Sequence, residues 1–208
     1  MKAILCESYG PPDRELQLRD VEKPLPEEGQ VLLKVHAASV NISDYFGITG
    51  LSRLFGGGLR RPKDPRVGGD VAGQVEAVGA GVTQFRPGDE VFGVCRGAFA
   101  EYAVARETRL ALKPLNTSFE EAAAVPTAGL TALQCIRDKG QLQAGQEVAV
   151  NGASGGVGTF AVQIAKFSGL RSPACAAPGI WNRLVRSAQT MSSITPKRIS
   201  RGKGEATT

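Results

Sequence analysis

The 208-residue sequence has no Cys-x-x-Cys pair, one histidine, one tryptophan and no apolar run near the ~20 residues that a membrane-spanning helix needs. Its N-terminus has no basic stretch followed by an apolar core, so the sequence predicts no membrane partner and a cytoplasmic location. Cys6, Cys95, Cys135 and Cys175 lie far apart, whereas structural zinc needs closely spaced ligands and a disulfide framework needs a secreted context. Cys6, Cys95 and Cys135 are therefore expected to act as small apolar side chains. His36 lies in an alternating stretch and reads as a strand residue rather than a ligand. Aromatics make up 6%, apolar residues 42% and charged residues 22%, which is globular usage and excludes a collagen-like or disordered chain. The length suits one large domain or one and a half ordinary ones.

Charge is divided unevenly. The formal net charge is +5, yet residues 1–169 hold 18 basic and 19 acidic groups, a net of −1. Residues 170–208 hold seven basic groups against Glu205 alone, a net of +6. A basic tail suits nucleic acid or anionic lipid, but Trp181 is its only aromatic, so no nucleic-acid partner is expected.

The first half of the chain has β-strand patterning. Lys2–Cys6, Gln30–Val40, Asp70–Val78, Glu90–Val94 and Phe99–Val104 read as strands, and short strands spaced in this way suggest a small barrel. Gly73 inside its strand pattern points to a bulge or a close backbone approach. Arg86-Pro87-Gly88-Asp89 suits a type II turn, with Pro87 pre-setting φ and Gly88 supplying a positive φ. Leu51–Pro65, rich in Gly, Arg and Pro, reads as a mobile loop.

The pattern becomes helical near residue 115. Ser118 and Glu121 fit a capping box, and Pro126 breaks the stretch that follows. Thr127–Lys139 puts Leu130, Leu133 and Ile136 on one face and stops at Gly140. Glu147–Asn151 is then a short strand, followed by a glycine loop over residues 152–158. The next helix aligns Val157, Phe160, Ala161 and Ile164 and ends at Gly169. Strand, glycine loop and helix in that order make a dinucleotide fingerprint credible. Its form is Ala153-x-Gly155-x-x-Gly158. Gly155 lets backbone approach a pyrophosphate, Gly158 lets helix pack on strand, Ser154 can add a hydroxyl donor, and the first-turn amides of Gly156 and Val157 face the phosphates. The competing reading is an ordinary glycine-rich turn.

Several ordered motifs resemble the medium-chain dehydrogenase/reductase superfamily, in its zinc-independent quinone oxidoreductase-like branch. They are Ala37-Ala38-Ser39-Val40-Asn41-x-x-Asp44, Gly68-x-Asp70-x-x-Gly73-x-Val75, Val82-x-x-Phe85-x-Pro87-Gly88-Asp89-x-Val91, Ala100-Glu101-Tyr102, Ala123-Ala124-Val125-Pro126 and the glycine loop. The resemblance covers roughly residues 1–169. It implies an α/β plus β fold: a GroES-like β-barrel over 1–116, then an incomplete Rossmann domain of doubly wound parallel sheet starting at 117–169, with an active site in the cleft between them. Zinc alcohol dehydrogenases of the superfamily carry a Gly-His-Glu stretch where this chain has Gly68-Gly69-Asp70, and a catalytic cysteine where it has Asn41. Glycine and asparagine offer neither imidazole nor thiolate, so no zinc is expected.

The chemistry the resemblance implies is zinc-free hydride transfer from NADPH, with NADH as the alternative, to a small-molecule acceptor such as a quinone, an enone or a related carbonyl compound. The protein orients the nicotinamide and hydrogen-bonds the developing oxyanion; by resemblance, Asn41 and Tyr45 face the nicotinamide or the acceptor, and Thr127 contacts the carboxamide side. The bland alternatives are that Asn41 ends its strand, Tyr45 packs under a loop and Thr127 starts a helix.

A Rossmann unit needs a second parallel strand after this helix, and Leu170–Gly179 carries Arg171, Pro173 and Pro178. The sequence reading rejects it as that strand, since each proline would remove a ladder donor and Arg171 would be buried. Codons able to encode Leu170–Ala176, regrouped by one base, read Ala-Glu-Val-Thr-Gly-Val-Cys, an apolar strand. The same regrouping of Ser187–Ser200 yields a second family-like segment. The expectation is therefore a frameshifted, non-native basic tail over 170–208 on a truncated chain with little or no turnover. The other reading is a non-enzymatic fragment that associates through exposed Leu130, Leu133, Val157 and Ile164. The sequence leaves a homo-oligomer open.

Overall fold

The computed structural model describes residues 1–55, 58–171 and 174–175. The chain divides into two compact units, Met1–Thr131 and Ala132–Thr208. Most of the tail expected to be frameshifted lies outside the described residues.

The first unit is built on antiparallel strands. A two-stranded sheet pairs β1 (Lys2–Cys6) with β2 (Leu16–Asp20). One helical turn, α1 (Pro12–Glu15), joins them with proline at its start. The larger sheet holds β3 (Gln30–Ser39), β4 (Asp70–Val78), β5 (Glu90–Val94), β6 (Tyr102–Arg106) and β7 (Leu110–Leu112), in the order β6-β3-β4-β5-β7. Both sheets are open. An isolated bridge from Arg96, just past β5, to Val104 of β6 links the far strand back toward the sheet's other side. The barrel expected from strand spacing is thus a curled sheet rather than a closed ring of strands. β6 begins at Tyr102 rather than Phe99, and β2 and β7 went unread in the sequence because their residues are mostly exposed.

Alternation along the strands explains the core. Val31 and Leu33 of β3, Val71 and Val75 of β4, Val91 of β5, and Ala103 and Ala105 of β6 point to one side and pack with Phe85 and Cys95. A fully buried Val or Leu side chain contributes about 1.5–3 kcal/mol, so this cluster is the main hydrophobic support of the unit. The turn at Arg86–Asp89 closes as expected, with Asp89 N donating to Arg86 O at 3.1 Å and Gly88 at φ 98°.

Gly73 makes the close approach its position suggested. Val35 pairs with Gly73 and Ala37 with Ala72, leaving His36 as the extra residue of a bulge. His36 then stacks on Phe119 with ring centroids 4.3 Å apart, and it is a strand residue as expected. A Cβ built on Gly73 would stand 2.2 Å from the Lys34 carbonyl oxygen.

Three helices decorate this unit. α2 (Ile42–Thr49) follows β3 directly, and the sequence reading missed it. α3 (Phe119–Ala123) starts on the expected capping box: Glu121 N donates to Ser118 Oγ at 3.2 Å and Ser118 N to the Glu121 carboxylate at 2.9 Å. Ala122 and Ala123 are buried and pack with Ala72 of β4. α4 (Pro126–Leu133) begins at Pro126, whose missing N–H is tolerated at a helix start, and runs into a π-helical turn over Gln134–Lys139. Its buried residues include Ala128, Ala132 and Ile136, while Leu130 is exposed, so the inward face is rotated from the expected Leu130–Leu133–Ile136 line. The alanines permit closer packing than leucines would.

The second unit contains β8 (Val150–Asn151), α5 (Gly156–Phe167) and β9 (Ala174–Cys175). β8 and β9 pair in parallel, Val150 with Ala174 and Asn151 with Cys175, and Glu147 bridges Arg171 in the same direction. This corrects the rejection of residues 170–179 as a strand. Among the described residues the paired positions, Ala174 and Cys175, are not prolines, so each keeps an N–H to donate. Arg171 is not buried either: its side chain is 77% exposed, with Nη1 3.8 Å from Glu147 Oε1. α5 turns Gly158 and Ala165 fully inward, while Val157 remains 40% exposed.

Replacing Gly73 with alanine forces its Cβ onto the Lys34 carbonyl or opens the β3–β4 ladder. We expect Gly73→Ala to lower stability by about 2–3 kcal/mol, read as a lower urea midpoint; an unchanged midpoint would show that the bulge can yield.

Candidate active site

The most constrained polar group of the first unit is Asp70, the first residue of β4 and wholly buried. Strand pairing places it beside Ser39 at the end of β3 and Val94 at the end of β5. Thr127 N donates to Asp70 Oδ2 at 2.9 Å and Thr127 Oγ1 to Oδ1 at 2.6 Å. Asn41 Nδ2 donates to Oδ2 at 3.1 Å, and Ser39 Oγ reaches the same oxygen at 3.4 Å. A buried carboxylate left bare would cost several kcal/mol, and donors of this kind offset that cost. The Thr127 amide belongs to the first turn of α4, where the helix dipole also favours negative charge.

Local sequence explains the rest of the cluster. Asn41 precedes α2, and its backbone N–H donates to Asp44 Oδ2 at 2.7 Å, while Asp44 N returns to Asn41 O at 3.0 Å. Gly50 closes the helix in a left-handed conformation. Burial, aided by the nearby charge of Asp70, pushes the Asp44 carboxyl up despite the Asn41 N–H that favours its charged form. Because the fold then binds the Asp44 proton more tightly than the unfolded chain, this group's contribution to stability falls as pH rises through that window. Tyr45, on the same helix, is half exposed, with its ring 6.4 Å from that of Phe46.

The structure therefore unites Asn41 and Thr127 on one carboxylate and places Tyr45 on the helix that Asn41 begins. Thr127 does lie in the first turn of a helix, as its bland alternative had it, whereas Asn41 does not end its strand: β3 stops at Ser39 and Asn41 caps α2. Asp70, which joins them, was not among the candidate site residues read from the sequence. Its signal was a charged side chain at the head of an otherwise apolar strand pattern. A pocket of about 560 Å³ adjoins this cluster, lined by Ser43, Asp44, Gly47, Ile48, Gly69 and Cys95 among others. Among the described residues no three His, Cys, Asp or Glu side chains stand together as metal ligands.

The second unit carries the glycine loop by itself. Ala153 is buried against Val150, and Ser154 is partly exposed. A Cβ on Gly158 would stand 2.2 Å from Gly152 O and 2.6 Å from the Ala153 Cα, so helix and loop meet as closely as the fingerprint requires. Above Gly152 no heavy atom lies within 4 Å of such a Cβ, and Gly155 meets only Gly152 O at 3.4 Å. The loop surface is open, and the amides of Gly156, Val157 and Gly158 have no intrahelical carbonyl to meet. Backbone donors, open space and a twelve-residue helix suit a dinucleotide diphosphate.

Residues 27–115 match the alcohol dehydrogenase GroES-like domain. Quinone oxidoreductase of Sus scrofa is 38% identical over 174 residues, covering 82% of this chain and 51% of that protein. The chain belongs to the medium-chain dehydrogenase/reductase superfamily. In structure it resembles CurK enoyl reductase, with a TM-score of 0.81 at 29% identity over 90% of this chain and 57% of that one. A mycobacterial superfamily structure complexed with NADPH gives 0.79 at 30% identity, over 90% and 56%. The chain spans about half the length of the curated relatives it matches.

The cysteines divide by environment. Cys6 and Cys95 are buried, in keeping with the small apolar side chains expected, whereas Cys135 is exposed. Burial, with Asp70 nearby, pushes the Cys95 thiol up to about 12, and burial also raises Cys6. Since the thiolate is the reactive form, iodoacetamide at pH 8 is expected to label Cys135 in the native chain and spare Cys6 and Cys95 until denaturant is added. Early labelling of Cys95 in a peptide map would contradict this packing.

Proposed function

We propose that this chain carries part of a zinc-independent oxidoreductase that uses NADPH, with NADH as the alternative, to reduce a quinone, an enone or a related carbonyl compound. The observation that carries the reading is the Gly152–Gly158 loop in strand–loop–helix context, its tight Gly158 contact intact, in a chain 38% identical to a quinone oxidoreductase. The likeness to an enoyl reductase supports the enone side of the acceptor class. Zinc independence rests on Asn41 and Gly69, which lack imidazole and thiolate.

In this reading Gly156, Val157 and Gly158 hold the diphosphate through backbone amides, Gly155, whose own N–H is donated to Gly152 O at 2.9 Å, lets the backbone approach it, and the Ser154 hydroxyl adds a donor. The chemistry supplied when the dinucleotide is bound is hydride delivery to an electron-poor carbon or quinone ring. Thr127 and Asn41 orient the nicotinamide side, and Tyr45 meets the acceptor. We place the protein in the cytosol, with a small molecule as its partner. The basic segment from about residue 170 we read as a shifted frame, and we expect little turnover from the chain as it stands. Nucleotide sequence across codons 165–175 is expected to contain the alternative strand in the other frame; its absence there would end that part of the reading.

Exposed Leu130, Val157 and Phe167 support a second reading, a non-enzymatic module that associates through apolar surface. Fluorescence titration of NADPH against the purified chain separates the two. Saturable enhancement is expected, with an acceptor-dependent loss of reduced dinucleotide if any turnover remains. No enhancement, together with association that grows with protein concentration, would favour the second reading.

A further inference from the structure

The hydrogen bonds around Asp70 restrict what its neighbours can still do. A carboxylate only accepts, whereas an asparagine amide has two N–H donors and one oxygen acceptor. One Asn41 Nδ2 hydrogen goes to Asp70 Oδ2 at 3.1 Å, and the second is directed at Ser39 Oγ at 3.3 Å. The hydroxyl of Ser39 is turned toward Asp70, and both donors of Thr127 end on the same carboxylate. The carboxylate also fixes which way the Asn41 amide faces. With Oδ1 turned inward, oxygen would oppose oxygen and Asp70 would lose a donor. Asn41 therefore keeps only its amide oxygen to offer, one side of which faces the Asp44 N–H in the capping box of α2, and Thr127 only the lone pairs of Oγ1. A site that looks amphoteric in sequence is acceptor-only in structure.

We propose that Asp70 is a positioning residue that removes the side-chain donors of Asn41 and Thr127. These two residues then pair with a hydrogen-bond donor on the bound molecule, the N–H₂ of a nicotinamide carboxamide, and contribute nothing to an oxyanion. This rests on the dinucleotide reading above. Of the two places that resemblance left open for Asn41, it selects the nicotinamide, and it leaves the oxyanion to a group still able to donate. Tyr45 is such a group: its phenol makes no hydrogen bond among the described residues.

Two measurements on the full chain test the proposal. In ¹⁵N–¹H spectra the Asn41 side-chain amide pair, identified by its loss in Asn41→Asp, is expected to exchange with water slowly. In Asp70→Asn, which keeps an oxygen to cap α4, the pair should shift and exchange roughly tenfold faster or more. A fast-exchanging pair in the unaltered chain overturns the proposal whatever the dinucleotide does. The second measurement compares the affinity of NADPH with that of its 3-acetylpyridine analogue, in which methyl replaces the amide nitrogen. We expect the analogue to bind roughly tenfold more weakly, because two acceptors then face a methyl group. In Asp70→Asn the two affinities should converge, since Asn41 can turn its N–H₂ outward. Equal binding of both dinucleotides to the unaltered chain overturns the proposal. If neither binds, the dinucleotide reading fails, and the exchange rate still decides the part played by Asp70.

Discussion

A carboxylate with no exposed surface at the head of a central strand is the constraint that orders the first unit. Asp70 lies where β3, β4 and β5 end together, and its oxygens draw donors from Ser39, Asn41 and Thr127. Those donors come from the end of β3, the loop into α2 and the first turn of α4. Hydrogen bonds to a charged group are worth about 1.5–3 kcal/mol each, so loss of any one leaves a buried charge short of a partner. The three segments are thereby held in one arrangement. Hydrophobic packing alone would not do this, because α3 meets β4 through alanines that offer little directional preference.

The position of Thr127 depends on several earlier choices in the chain. The Ser118–Glu121 box starts α3, Ala122 and Ala123 seat it near Ala72, and Pro126 begins a new helix three residues after α3 ends. That leaves the Thr127 amide without an intrahelical partner and free to meet Asp70. On the opposite side, the bulge at His36 resets the register so that Ser39 pairs directly with Asp70. Without the extra residue, Ser39 would face the other side of the sheet. A local irregularity in β3 is thus part of how the polar cluster is assembled.

How much of this was legible in the sequence differs by kind of interaction. Buried strands, the type II turn, the α3 capping box and the strand–glycine loop–helix unit all depend on local pattern and could be read directly. α2 was overlooked, although Asn41, Asp44 and Gly50 mark its two ends, because the search there was for strands. Along α4 and the turn after it the buried positions are Ala128, Ala132 and Ile136, and of the Leu130–Leu133–Ile136 face read from periodicity Leu130 is exposed, because periodicity by apolar type does not count alanine. Asn41 and Thr127 were found, but only through resemblance. The group that joins them was not, since it joins positions 29 and 57 residues apart from it in sequence. No local periodicity carries that information. The donor count at Asn41 is still less accessible, for it depends on where each hydrogen goes.

In the second unit β8 and β9 pair in parallel, and the ladder extends to Arg171, whose N–H donates to Gln146 O and whose carbonyl accepts from Val148 N. Helix packing also holds the loop. Ala165 and Leu170 cluster with Ile136, Leu142, Val148, Ala161 and Ile164, and Val150 and Ala153 with Ala161 and Val162. Gly158 brings α5 against the Gly152 carbonyl, which fixes the loop from the helix side. The shape of the loop is therefore set by the contact between helix and loop, and any side chain at Gly158 would push the helix away and open it.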